Sequence, residues 1–427
     1  MFKIGKYFTT YSITAGLSIA MLGSVFLYLA WIDSSNRLIE TISGILFFYF
    51  LLKVDRKIWF WSGFFISLLW FWWIVVSFKH YDMLWAIPIG LLFISIIYGF
   101  VFWFIAIVSE CLSHYLQKGS ALQLDLLLKA LGLLLLSSIH PLGFDWLKPE
   151  LLFVHSYIGV QKWQLALVLL AIILAQYKKN LLFLLLILLS YSPTKTFLIY
   201  HDTNDSIAIS NTMITVKDKW NANLIPSHID KAFEIIDNAI SRQKQMVVLP
   251  ESIFPFFLNN EPKILGELLK RSKNITIVMG ALYLDGTTHR NSTYIIQDGK
   301  YKVANKVLLV PFGESNPLPE WAGKWVNKIF FDGAIDYIAS AEPTDFEVDD
   351  TVYRNAICYE GTSEKLYKDI PSDMIVISNN GWFAPSIEPT LQRLLLEFYS
   401  RKYGTTIYHS INMSPSYIIR STKLQSP

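Results

Sequence analysis

Arg354-Asn355-Ala356-Ile357-Cys358-Tyr359-Glu360 reads as the end of a strand running into a strand-to-helix turn. Small and β-branched residues lead up to a thiol, and a carboxylate follows two positions later, so a potential nucleophile stands beside an acid. A free cysteine is more often a small buried apolar residue than a reactive one, so the meaning of Cys358 rests on its surroundings. Around this stretch, itself part of a strand expected over 352–359, extended and helical patterns alternate. Upstream, strand patterns cover 206–214, 246–250, 275–284, 292–297 and 301–310, with helical patterns over 229–243 and 263–271. Downstream, strands are expected over 374–378, 406–412 and 417–421, and a helix over 391–403. Apolar strands alternating with amphipathic helices predict an α/β domain whose sheets are covered by helices.

Composition divides the 427-residue chain in two. Long apolar runs dominate from Phe8 to about Tyr191, whereas from Thr194 onward charged residues, Pro and Asn reach the density of a globular domain. The expected organisation is a transmembrane domain of about seven helices over 1–193 and a globular domain over 194–427, the latter large enough for a core of its own. The apolar runs are 9–32, 38–52, 58–78, 84–108, 126–139, 151–176 and 181–190. A span needs about 20 apolar residues, so the second, fifth and seventh are short, and Lys162 interrupts the sixth. The first run is read as a span, not a leader, because it is long and lacks a small-x-small cleavage site.

Charge supports seven spans. With a cytoplasmic N-terminus, the inside positions hold Lys3, Lys6, Lys53, Arg56, Lys57, Lys118, Lys178 and Lys179. The outside loops hold Arg37, Lys79, Lys148 and, depending on where the sixth span begins, Lys162. An odd number of spans delivers the globular domain to the outer side. Asp125 and Lys129 read as an i,i+4 pair at a membrane boundary. The loop His140-Pro141-Leu142-Gly143-Phe144-Asp145-Trp146 either lines a lipid entry or forms an aromatic anchor at the interface.

Several function classes drop out. A formal net charge of +3, with no basic cluster, gives no footprint for nucleic acid. The two cysteines, Cys111 and Cys358, lie in different halves and make no disulfide framework. No Gly-rich phosphate loop, His-x-x-x-His, Cys-x-x-Cys or Gly-x-Ser-x-Gly pattern occurs, so neither a metal nor a nucleotide cofactor nor a serine nucleophile is indicated.

Three polar residues interrupt three apolar strands: Glu251 after Val247-Val248-Leu249-Pro250, Lys306 within Ala304-Asn305-Lys306-Val307, and Cys358. The carboxyl ends of strands are where α/β folds commonly assemble sites. Glu, Lys and Cys in that order resemble the triad of the nitrilase superfamily. One branch is matched more closely, in Pro250-Glu251-Ser252-Ile253-Phe254-Pro255, Leu309-Val310-Pro311-Phe312-Gly313-Glu314, Ala356-Ile357-Cys358-Tyr359-Glu360 and Ser378-Asn379-Asn380-Gly381-Trp382-Phe383. These blocks behind a polytopic membrane half are similar to the apolipoprotein N-acyltransferases of the bacterial inner membrane.

The resemblance implies an αββα sandwich on a helical membrane bundle, with the catalytic domain facing the periplasm. The implied reaction moves an acyl chain from a phospholipid, typically phosphatidylethanolamine, to the α-amino group of diacylglyceryl-cysteine on lipoproteins. It would proceed through a Cys thioester in a ping-pong cycle that uses no cofactor. By the same resemblance Glu251 is the general base, Lys306 the cation and Cys358 the nucleophile. Glu314, Tyr359 and Glu360 support them, and Trp220, Trp382 and Phe383 lie near the substrates. The chemistry agrees: an ordinary thiol titrates near about 8.5, a neighbouring ammonium lowers that value, and a carboxylate accepts the proton.

Aromatic loops at 254–257, 321–331 and 382–385 are candidate lids over the acyl chain, the alternative being interfacial anchoring or core packing. Two departures from the family pattern stand out. No apolar run after 417–421 remains for the usual C-terminal transmembrane helix. In addition, Asn380-Gly381 and Ala384 replace a more usual Asp-containing pair and a Gly. Rival readings are a membrane-tethered nitrilase-type amidase and a catalytically silent membrane scaffold.

Overall fold

The computed structural model describes residues 8–116, 121–200, 206–311, 313–315 and 337–422. By contact the chain forms two compact units. One comprises Met1–Pro141, Asp145–Lys195 and Ser386–Phe398, and the other Leu142–Phe144, Thr196–Pro385 and Tyr399–Pro427. The division is thus not a single cut near residue 193, because two short segments are exchanged across it.

The second unit is built on strands β1 (Thr196–Ile199), β2 (Ile207–Ile209), β3 (Asn211–Thr212), β4 (Met246–Val248), β5 (Phe254–Phe257), β6 (Thr276–Asp285) and β7 (Thr288–Gln297). They are followed by β8 (Lys300–Asn305), β9 (Asp345–Val348), β10 (Thr351–Ile357), β11 (Asp373–Asn379), β12 (Thr406–Asn412) and β13 (Tyr417–Ser421). One sheet runs β1-β13-β12-β11-β10-β9 with β3 against β12; the other runs β2-β4-β6-β7-β8 with β5 against β6. The centres of both are parallel, β10 with β11 and β11 with β12 in one, β2 with β4 and β4 with β6 in the other.

Side chains alternate across a strand, and here both faces are buried. On β4, β6 and β7, Val247, Ile277, Met279, Tyr294 and Ile296 join one core with Ala232, Ile236 and Ala239 of helix Ile225–Ser241 and Leu268 of helix Pro262–Arg271. Their neighbours Met246, Val248, Val278 and Ile295 point the other way. They join Tyr353, Ile357, Ile375, Ile377, Tyr408 and Ile418 of the other sheet. The sheets therefore pack face to face over one core, and two helices cover the outer face of the second sheet. The crossover from β11 to its parallel neighbour β12 runs through helix Glu388–Tyr403.

Most element boundaries agree with the sequence reading to within a few residues, and the differences have local causes. The strand expected over 352–359 stops at Ile357 because Cys358 adopts φ +55°, outside strand geometry. The strand expected over 301–310 stops at Asn305, where backbone N–H groups turn to carboxylates instead of a neighbouring strand. The candidate lid at 254–257 is β5, and Phe254 is fully buried and stacked on Phe256 at 5.4 Å, so core packing is its role. The candidate lid at 321–331 lies outside the described residues.

In the first unit, Arg56–Tyr81 and Leu84–Leu116 are long and apolar enough to cross a membrane. Thr10–Leu22 and Val25–Trp31, bent by 53°, qualify if taken as one span. Arg37–Lys53, Ala121–Leu136, Lys162–Tyr177 and Leu181–Ser190 are shorter. The last is wound as a 3-10 helix, whose rise of about 2.0 Å per residue extends a short run further than an α-helix does. The sixth run becomes helical only at Lys162, since Pro149–Phe153 forms a short 3-10 turn of its own. Asp125 and Lys129 pair at 2.8 Å. Helices approach closely at Gly63, where a Cβ would sit 2.5 Å from the carbonyl of Tyr98.

In the second unit Gly280 bears on the site. A Cβ on Gly280 of β6 would lie 2.6 Å from both the Cα of Glu251 and the N of Ser252. By contrast Gly266, in helix Pro262–Arg271, has open space around its Cβ position. Gly280→Ala is expected to lower stability by about 1–3 kcal/mol through overpacking. Gly266→Ala should raise it by up to about 1 kcal/mol through helix propensity. Thermal unfolding of the purified protein in detergent checks both.

Candidate active site

Glu251, Lys306 and Cys358 each stand just beyond a strand. Glu251 follows β4 by three residues, on a turn whose next residue, Ser252, has φ +50°, and Gly280 lets the β6 backbone approach it. Lys306 follows β8 directly, and its N–H donates to the carbonyl of Asn291 on β7. Cys358 follows β10 in the left-handed region, opening the 3-10 turn Cys358–Thr362. That conformation is a strained one for a non-glycine residue and ends the strand's alternation at the thiol, which packs against the core between the sheets.

Lys306 organises the centre. Its side chain is 1% exposed, and Nζ lies 2.7 Å from Oε2 and 2.9 Å from Oε1 of Glu314, and 3.7 Å from Oε1 of Glu251. Burial works against its charge, but Glu314, Glu251 and Cys358 outweigh it and hold the ammonium well above the ordinary lysine range. Glu251 is shifted upward, first by burial and then by Glu314, with Lys306, Asn291 and Lys219 pulling the other way. The result is one fixed cation shared by two carboxylates, with the thiol within its field.

Glu314 is held by its own loop, since Oε2 accepts from the N–H of Val310 at 2.9 Å. Glu360 lies beneath the site, 1% exposed. Its Oε2 accepts from the N–H groups of Val307 at 2.7 Å and Leu308 at 3.1 Å, and its Oε1 from the N–H of Ile357 at 2.7 Å. It thereby ties the segment after Lys306 to the residue before Cys358. Burial raises its pKa to about 7 against the pull of Lys306 and those three N–H groups.

Tyr359 points elsewhere. Its hydroxyl donates to the carbonyl of Gly143 at 3.1 Å, and its ring stacks on Phe144 at 5.7 Å, within the segment Leu142–Phe144 that belongs to this unit. Trp220, 47% exposed, closes the short helix Val216–Lys219. Trp382 and Phe383 lie on the turn after β11, half-buried. A Cβ on Gly381 would be 3.3 Å from Val216, so the two aromatic segments adjoin.

Two neighbours of the triad escaped the sequence reading. Asn291 donates from Nδ2 to Glu251 at 2.8 Å and to Glu314 at 2.7 Å, bridging the two carboxylates. The strand pattern read from Ser292 starts four residues after β7 does, so it leaves Asn291 out; Asn291-Ser292-Thr293 are all buried, and a polar run entering an apolar strand was the available signal. Lys219 donates from Nζ to the carbonyl of Glu251 at 3.2 Å. In Lys217-Asp218-Lys219 it has the look of a solvated charge run, and nothing in the sequence marks it out. Among the described residues no group of three or more His, Cys, Asp or Glu is placed to hold a metal ion.

A family profile described as the apolipoprotein N-acyltransferase integral membrane domain matches residues 10–194. An apolipoprotein N-acyltransferase of Wolinella succinogenes is 39% identical over 407 residues, covering 94% of each chain. One of Helicobacter pylori is 38% identical over 383 residues, 87% of this chain and 85% of that one. A solved CN-hydrolase superfamily protein of Xanthomonas campestris aligns with 48% of this chain and 75% of that one, at 13% identity and a TM-score of 0.35.

The three N–H groups on Glu360 make a further expectation concrete. Glu360→Gln sets an amide NH₂ against at least one of these donors and is expected to destabilise the protein by about 1–3 kcal/mol, despite the near-identical shape. Thermal unfolding in detergent measures this, and an unchanged midpoint would remove Glu360 from its bridging role.

Proposed function

The chain belongs to the apolipoprotein N-acyltransferase family, and we propose that it transfers an acyl chain from a phospholipid, through a thioester on Cys358, to the α-amino group of a diacylglyceryl-cysteine. The observation that carries this reading is the convergence of Lys306, Glu251 and Glu314 beside a cysteine held at positive φ, in a membrane protein. Glu251 takes the proton from the Cys358 Sγ, and the thiolate attacks the ester carbonyl carbon of the phospholipid. The resulting oxyanion faces the Lys306 ammonium and the backbone N–H of Tyr359, each such donor contributing roughly 3 kcal/mol. The C–O bond then breaks, the lysophospholipid oxygen recovers the proton from Glu251, and the thioester remains.

In the second half-reaction the amine of the acceptor attacks the thioester carbon. Glu251 removes a proton from the amine, the C–S bond breaks, and the proton returns to Sγ. The donor in this proposal is phosphatidylethanolamine. The protein lies in the bacterial inner membrane, crossing it several times with the catalytic domain on the periplasmic side. Trp220, Trp382 and Phe383, on adjoining segments, cover the acyl chain and keep water from the thioester.

Purified full-length protein given phosphatidylethanolamine is expected to gain the mass of one acyl chain, to lose that gain in Cys358→Ala, and to discharge it onto a diacylglyceryl peptide. Acyl release to water alone, with no N-acylated peptide, would overturn the transferase reading. The bridging amide gives a second expectation. Asn291→Asp, though closer in shape, should slow acylation at pH 7 at least about tenfold more than Asn291→Ala. A third carboxylate against Glu251 and Glu314 favours their protonated forms. Single-turnover acylation rates decide it.

A further inference from the structure

Lys219 ends the short helix Val216–Lys219, and its side chain is 2% exposed. Burying an ammonium is expensive unless the charge is used, because hydration must be replaced by fixed dipoles and counter-charges. Here Nζ donates to the backbone carbonyl of Glu251 at 3.2 Å, on the turn that presents the base. That turn lies between two paired strands: β4 ends at Val248, Ser252 has φ +50°, and the backbone is linked to β6 by the N–H of Leu249 on the carbonyl of Val278 at 2.8 Å and by the N–H of Gly280 on the carbonyl of Pro250 at 3.3 Å. The Lys219 hydrogen bond falls on Glu251 itself and adds a side-chain tether to those backbone links.

We propose that Lys219 is a positioning residue for Glu251: its ammonium clamps the turn that carries the base and sets a second cation, besides Lys306, beside the carboxyl group. The groups facing Glu251 are Lys306, Glu314, Asn291 and Lys219. The field of Lys219 also reaches His228 on the helix Ile225–Ser241, which Asp218 and Lys231 face as well. Glu251 can accept a proton only when ionised. Burial drives it toward the neutral form, and Lys219 opposes that drive. Burial in turn brings the Lys219 ammonium down to about 8, with Glu251 pulling it back up. Without Lys219 the carboxyl holds its proton to higher pH, so the acidic limb of any Glu251-dependent step moves upward. Above about pH 8 Lys219 itself is neutral, and the difference from the neutral variant fades.

The inference rests on the reading of Glu251 as the base, so its test needs a readout independent of lipid chemistry. Peptide-resolved alkylation of Cys358 by iodoacetamide, from pH 5 to 10, is compared in the full-length wild type, Lys219→Met and Lys219→Arg. Acylation from phosphatidylethanolamine vesicles is followed in parallel. Lys219→Met is expected to shift the acidic limb of both reactions upward by about one pH unit, a tenfold loss on that limb. The two rates should converge toward wild type at high pH, and Lys219→Arg should keep the limb near its original place. Should Lys219→Met not fold, Lys219→Gln serves in its place. Equal losses at every pH in the charge-keeping and charge-removing variants, with the limb unmoved, would mean a merely structural lysine and overturn the proposal. Alkylation limbs that shift without any acylation in the wild type would sustain the role of Lys219 and remove the transferase reading instead.

Discussion

The second unit is organised around one buried cation. An isolated ammonium in a protein interior would lose several kcal/mol of hydration after relaxation, enough to discharge it. Lys306 keeps its proton because Glu314 meets it with both oxygens and Glu251 stands behind. Much of the local structure follows from that requirement. Glu314 must be presented inward, which the N–H of Val310 secures; Glu251 must be brought in from another strand, which needs the missing side chain of Gly280; and Asn291 must keep the two carboxylates together.

The same arrangement separates roles among chemically similar groups. Three glutamates lie around Lys306, yet their surroundings differ. Glu314 has a direct contact to the cation, Glu251 a longer one with burial pushing it toward the neutral form, and Glu360 a set of three backbone donors. The first meets the charge of Lys306, the second is pushed toward its neutral form by burial, and the third fixes backbone.

Much of this was legible in the sequence, for physical reasons that also explain what was not. Strands such as β4, β6 and β11 are buried on both faces, so their apolar runs stand out, and a Glu or Cys just past such a run is conspicuous. The β10 end was misread by two residues because positive φ at Cys358 leaves no mark in a non-glycine residue. The sequence leaves Phe254–Phe257 open between a lid, an interfacial anchor and core packing; its place beside β6 is a tertiary fact. Lys219 was invisible for a related reason. A lysine among charged neighbours reads as solvated, and only the fold reveals that this one turns inward.

Glu251 and Lys306 follow strands of one sheet, whereas Cys358 follows a strand of the other, and the two sheets are joined by a shared core and by side-chain bridges such as Glu360. In the nascent or unfolded chain Cys358 is an ordinary thiol, without base or cation. Its reactivity is therefore a property of completed sheet-on-sheet assembly. On the proposed role of Cys358, a chain still emerging into a lipid-rich environment carries a chemically quiet cysteine, and becomes able to attack an ester once the core that aligns the three groups has closed.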